Sequence, residues 1–66
     1  MTIENDLREV RSKQELTQQE LGEAMGVSRQ TINAIETGKY NPSLELALKL
    51  SSYFETEVQK LFRIEE

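Results

Sequence analysis

The chain has no cysteine, no histidine and no tryptophan, and a single proline, among its 66 residues. Without cysteine there are no disulfides and no thiolate metal sites; without histidine the commonest metal ligand and general base is missing. The carboxylates are scattered over separate segments with no nucleophile, base or metal cluster beside them, so an active-site signature is absent. A non-enzyme with no metal, no cofactor and no small-molecule ligand is expected. Long apolar runs are lacking too. No stretch approaches the roughly 18 apolar residues of a membrane span, and the opening MTIENDLREV has neither the basic region nor the apolar run of a signal peptide. A cytoplasmic location with no membrane partner is expected. The length suits one domain over residues 1–66, with no room for a separate sensing or catalytic domain. Such a chain buries only about 60% of its unfolded surface, so its core is marginal and dimerisation is the expected support.

What is present is concentrated between Thr17 and Glu36, TQQELGEAMGVSRQTINAIE. Thr17 and Glu20 have capping-box spacing and open a helix whose inward positions are Leu21, Ala24 and Met25. Gly26 supplies the positive-φ residue that ends this helix and reverses the chain. Val27 turns inward, Ser28 is a candidate cap, and Ile32 and Ile35 form the apolar stripe of a second short helix. The polar face of that helix carries Arg29, Gln30 and Asn33, with Thr31 beside them. These residue types offer paired donors and acceptors that match guanine or adenine edges in the major groove, whereas a merely solvated face would carry Glu and Lys. Double-stranded DNA is the partner this pattern predicts.

Positive charge is scarce: eight Lys and Arg against twelve carboxylates, a net −4. Phosphate neutralisation ordinarily demands a basic domain. The distribution answers part of the objection, because Glu36 is the only carboxylate between Ala24 and Leu44, a window that also holds Arg29 and Lys39. The acid gathers toward both ends, where it should weaken non-specific DNA binding.

Elsewhere the pattern predicts a helix from about Asn5 to Lys13, with Leu7 and Val10 inward and Asn5 as its cap. Leu16 closes the corner. A loop over Thr37 to Pro42 places Gly38 in the left-handed region. Ser43 caps a fourth helix in which Leu44, Ala47, Leu48 and Leu50 form a broad apolar face, extended by Phe54. Thr56 and Gln59 repeat the box spacing and predict a short fifth helix through Val58, Leu61 and Phe62. The fold class is therefore all-α with five helices. The apolar residues of the last two helices outnumber what one small core needs, which makes Val58, Leu61, Phe62 and Ile64 candidates for a two-fold interface.

The segment resembles the helix-turn-helix of the lambda and 434 repressor-like, or Xre, family. Gln18, Gly22 and Gly26 fit its pattern, as do Leu21, Met25, Val27, Ile32 and Ile35. Glu36, Gly38, Lys39, Asn41, Pro42 and Ser43 resemble its E-x-G-K-x-x-P-S loop, and Arg11 falls where the family places a helix-1 arginine. Over its whole length the chain is similar to small dimeric bacterial repressors of the cytolysin repressor type.

The resemblance implies a five-helix lambda-repressor-like DNA-binding domain. It implies base reading by Arg29 and Gln30, a further groove-facing site at Asn33, and Thr31 near a phosphate or a thymine methyl. Gln18, Lys39, Tyr40 and Asn41 would contact the DNA backbone, and Arg11 would pair with Glu36 to clamp helix 1 to helix 3. Ala34 stands where some members carry a longer reading side chain. As in the small repressors, Thr2 and Ile3 would pair with Phe62, Arg63 and Ile64 as a two-stranded ribbon, bringing Ile3, Leu61 and Ile64 to a surface open to a second subunit. Arg8 and Lys13 are read as solvated. Each polar residue also has a plain reading as helix surface or turn former. The expected function is a homodimeric, sequence-specific repressor binding a near-palindromic operator. The alternative, motivated by the acidic total charge, is a protein-interaction module such as an antitoxin or adaptor.

Overall fold

The computed structural model describes residues 2–66. In chain order it contains β1 (Thr2–Asn5), α1 (Leu7–Lys13), α2 (Gln18–Met25), α3 (Arg29–Glu36), α4 (Leu44–Tyr53), α5 (Val58–Leu61) and β2 (Phe62–Glu65). The expected five helices are present, and the terminal ribbon joins them as an antiparallel pair in which Ile3 faces Ile64 and Asn5 faces Phe62. The class is thus mostly helical with a small sheet. Among the described residues no helix is long and apolar enough to cross a membrane.

Local chemistry fixes the helix starts. Thr17 Oγ1 accepts from the Glu20 N–H at 3.0 Å, and Glu20 Oε1 accepts from the Thr17 N–H at 2.9 Å, a complete capping box. Ser28 and Ser43 accept from the N–H groups of Thr31 and Leu46 in the same way. The predicted box at Thr56 does not form: α5 starts after Glu57, which makes no side-chain cap bond, and the helix ends at Leu61 where the chain enters β2. α1 likewise starts later than predicted. Asn5 ends β1 instead, and its carboxamide accepts from the Leu7 N–H at 3.1 Å while donating to the Ile35 carbonyl at 2.9 Å.

The ends of α1 to α4 share one closure, in which a left-handed residue turns the chain and the next N–H reaches back to a carbonyl five residues earlier. Gly26 and Gly38 hold this position after α2 and α3, with φ of 76° and 79°. Glu15 and Glu55 hold it after α1 and α4, with φ of 57° and 52°; Leu16 N–H bonds the Arg11 carbonyl and Thr56 N–H the Ser51 carbonyl. No glycine advertised these two turns.

Leu7, Leu21, Ile32, Ile35, Leu50 and Leu61 are wholly buried and meet Met25, Leu46 and Phe54 in one core, with Val10, Leu16, Val27 and Phe62 packed on it. Two expectations fail here. Ala24 faces solvent. On α4 the inward stripe is Leu46, Ala47, Leu50 and Phe54, while Leu44 is 73% exposed and Leu48 is also outside. Two stripes of opposite direction share that leucine-rich helix, and packing against α2 and α5 selects the one that reaches Leu21 and Leu61. The ribbon is pinned by Arg63, which donates two 3.1 Å bonds to Asp6. Those bonds, and the charge of the carboxylate, raise the guanidinium's pKa above its ordinary value.

Candidate nucleic-acid interface

The polar side of α3 is held in place by one buried carboxylate. Glu36, whose side chain is 2% exposed, accepts from Arg11 Nε at 2.6 Å and Nη2 at 3.2 Å, and from Gln18 Nε2 at 3.0 Å. Arg11 Nη1 also donates to the Leu16 carbonyl at 2.7 Å. An ion pair withdrawn from water is tolerated only when its remaining donors and acceptors are satisfied. Here they are, and no buried side-chain polar atom among the described residues lacks a partner. The consequence is geometric: α1, α2 and the C-terminal end of α3 are tied at one point.

Gln18 extends the tie. The same Nε2 donates to Asn33 Oδ1 at 3.1 Å, linking the first residue of α2 to the outer face of α3. Asn33 keeps its own amide N–H groups for an outside acceptor. Arg29 and Gln30, in the first turn of α3, are exposed; Arg29 and Asn33 lie one turn apart on the same side and line a common groove. That groove, about 580 Å³, runs between α1, the N-terminal turn of α2 and α3, and includes Arg8, Thr17 and Gln18. Thr31 is half-buried, with its hydroxyl 3.0 Å from Ser28 Oγ, and borders a different recess from the groove that Asn33 lines.

The loop after α3 is wound onto that helix. The N–H groups of Lys39 and Tyr40 both reach the Ala34 carbonyl, at 2.9 and 3.2 Å, and Thr37 Oγ1 donates to the carbonyls of Asn33 and Ala34. Lys39, Tyr40 and Asn41 are exposed on it. Tyr40 borders a recess shared with Val27, Thr31, Ser43 and Lys49, while Asn41 and Gly38 border another with Thr2, Ile3 and Ile64. The structure thus gathers Gln18, Arg29 and Asn33 in one groove, leaves Gln30 exposed on α3 outside the groove's lining, and spreads the loop residues around the end of α3. Sequence reasoning missed Lys49, whose Nζ donates to the Met25 carbonyl at 3.2 Å and neutralises the negative end of α2. Its signal, a lysine on α4 that lies 24 positions from Met25, is not local.

Of the four interface candidates, Leu61 is corrected: it is 0% exposed and fills the protomer's own core. Val58 and Phe62 are half-buried, and Ile64 is 60% exposed. Among the described residues no group of three carboxylates is placed to hold a metal.

A helix-turn-helix family model matches residues 7–61. An uncharacterised helix-turn-helix-type transcriptional regulator of Methanocaldococcus jannaschii is 45% identical over 64 residues, covering 97% of each chain. Its source is an archaeon, so the likeness is wider than bacteria. Among solved structures, a protein from Bacteroides fragilis assigned as DNA-binding superposes with a TM-score of 0.83 at 26% identity, covering 94% of this chain and all of that one. The restriction-modification controller protein C.AhdI of Aeromonas hydrophila superposes with a TM-score of 0.73 at 33% identity, covering 82% of this chain and 78% of that one.

Proposed function

This chain belongs to the helix-turn-helix family, and from that premise we propose that it is a cytoplasmic, homodimeric, sequence-specific repressor that occupies a near-palindromic operator through α3. The observation that carries the reading is the presentation of α3: Arg29, Gln30 and Asn33 face outward on a helix whose position is locked by Glu36, Arg11 and Gln18. A reading head needs rigid placement and unspent donors, and α3 has both.

In this account Arg29 and Gln30 specify bases, with Asn33 at a further groove-facing site. Gln18, Thr31, Lys39, Tyr40 and Asn41 set register on the backbone. The chemistry is binding only. Dimerisation supplies the second reading head through Val58, Phe62 and Ile64, joined by Ile3, which pairs across the ribbon with Ile64 and is likewise exposed. A two-fold dimer sets its two recognition helices about 34 Å apart, which is what a palindrome one turn long requires.

The roles separate in a mutant pair. Arg29→Ala should cost about 1–3 kcal/mol and relax preference at one base pair, whereas Lys39→Ala should weaken all sequences alike and lower the salt slope by about 1. Affinities measured on a selected duplex and its single-base variants decide the matter. Uniform loss in both mutants would overturn the division of roles.

A further inference from the structure

We propose that Arg8 on α1 is a DNA phosphate-binding residue, seated across the groove from Arg29, and that it sets the register of the reading helix on the backbone. The proposal rests on the DNA-binding reading above.

The distribution of spent and unspent cations carries it. Arg11 is used by Glu36, Arg63 by Asp6, Lys60 by Glu57 and Lys49 by the Met25 carbonyl. Among the described residues, Arg8, Lys13, Arg29 and Lys39 have no such intramolecular partner. Two of these four, Arg8 and Arg29, line the same groove from different helices. Arg8 lies one turn before Arg11 on α1, so both face that groove, but Arg11 is neutralised within the fold and Arg8 is exposed. Glu36 is buried under its own pairing, which leaves Glu15 as the opposing charge on the groove wall.

In a chain of net −4, an unpaired arginine facing another across a groove is best matched by an anion from outside. A guanidinium offers a planar fork that suits phosphate oxygens. The groove is continuous with the reading face, because Arg29 and Asn33 belong to both. On this proposal a strand whose base edges meet Arg29 carries a phosphodiester past Arg8, the other unpaired arginine of the same groove. Such a contact positions the protein and carries no sequence information.

The test is the salt dependence of binding by the full chain from about 50 to about 200 mM salt, on a duplex selected by the wild type and on a random-sequence duplex. Arg8→Ala should lower the slope by about 1 and weaken both duplexes by the same factor, while Arg8→Lys retains the wild-type slope. Lys13→Ala removes the same charge from the same helix outside the groove, and should leave the slope unchanged. Circular dichroism confirms that each variant is folded. A wild-type slope in Arg8→Ala, or an equal drop in Lys13→Ala, overturns the proposal and leaves DNA binding intact. A wild type that binds neither duplex overturns the DNA-binding reading itself.

Discussion

Gly22→Ala is the change that probes the turn between α2 and α3 most directly. Gly22 lies inside α2, where alanine ordinarily improves helix stability by about 0.8–1.0 kcal/mol. The space forbids it. A Cβ at this position would stand 2.7 Å from the Val27 carbonyl oxygen, 3.2 Å from the Ser28 carbonyl carbon and 3.3 Å from the Arg29 nitrogen. All three are backbone atoms of the turn, one of them the start of α3, so no side chain can swing aside. Overpacking costs about 1–3 kcal/mol, and rigid backbone neighbours put this site near the upper end. Subtracting the helix gain leaves a net loss of about 2 kcal/mol, or a fall of about 8–16 °C in melting temperature for a domain of this size. The midpoint of urea unfolding should drop with an unchanged slope. Gly26→Ala is the comparison: nothing lies within 4 Å of its Cβ, and only the φ of 76° opposes it. A Gly22→Ala protein as stable as the wild type would refute the claim that this glycine exists for close approach of α2 to the turn.

Three further outcomes are expected. Glu36→Ala leaves Arg11 partly buried without its carboxylate and Gln18 with Asn33 as its one remaining acceptor; loss of about 3 kcal/mol should appear in thermal melts, and a change under about 1 kcal/mol would contradict the clamp. Glu55→Gly relieves a left-handed glutamate, whose strain of about 1–2 kcal/mol exceeds the about 0.5–1 kcal/mol entropy penalty of glycine, so urea unfolding should show a small gain and not a loss. Leu48→Glu should stay within about 0.5 kcal/mol of the wild type in the same assay, because that side chain already faces solvent.

The parts of the molecule written in local chemistry were readable from the sequence. Thr17 and Glu20, Ser28, Gly26 and Gly38 act within a few residues of themselves, and the two central helices follow from them. The stripe on α4 was not readable, since Leu44 and Leu48 satisfy helical spacing as well as Leu46 and Leu50 do, and only the packed partners choose. Leu61 was misplaced for the same reason. The left-handed turns at Glu15 and Glu55 carry no glycine to betray them. Asn5 was expected to open α1, yet pairing with Phe62 across the ribbon holds its backbone in a strand while its side chain serves both α1 and α3. Within the interface, Arg29 and Gln30 were legible as types in a pattern. The bond from Gln18 to Asn33 spans 15 positions and becomes visible only once α2 and α3 are set against each other.

The central claim, that α3 reads sequence as one of a pair, is tested most directly by selecting bound duplexes from a randomised pool at about 150 mM salt, where non-specific electrostatic binding is reduced. The account predicts enrichment of a near-palindrome with half-sites about 34 Å apart, altered at one position in each half when Arg29 is replaced by alanine. A folded sample that enriches no sequence would contradict it.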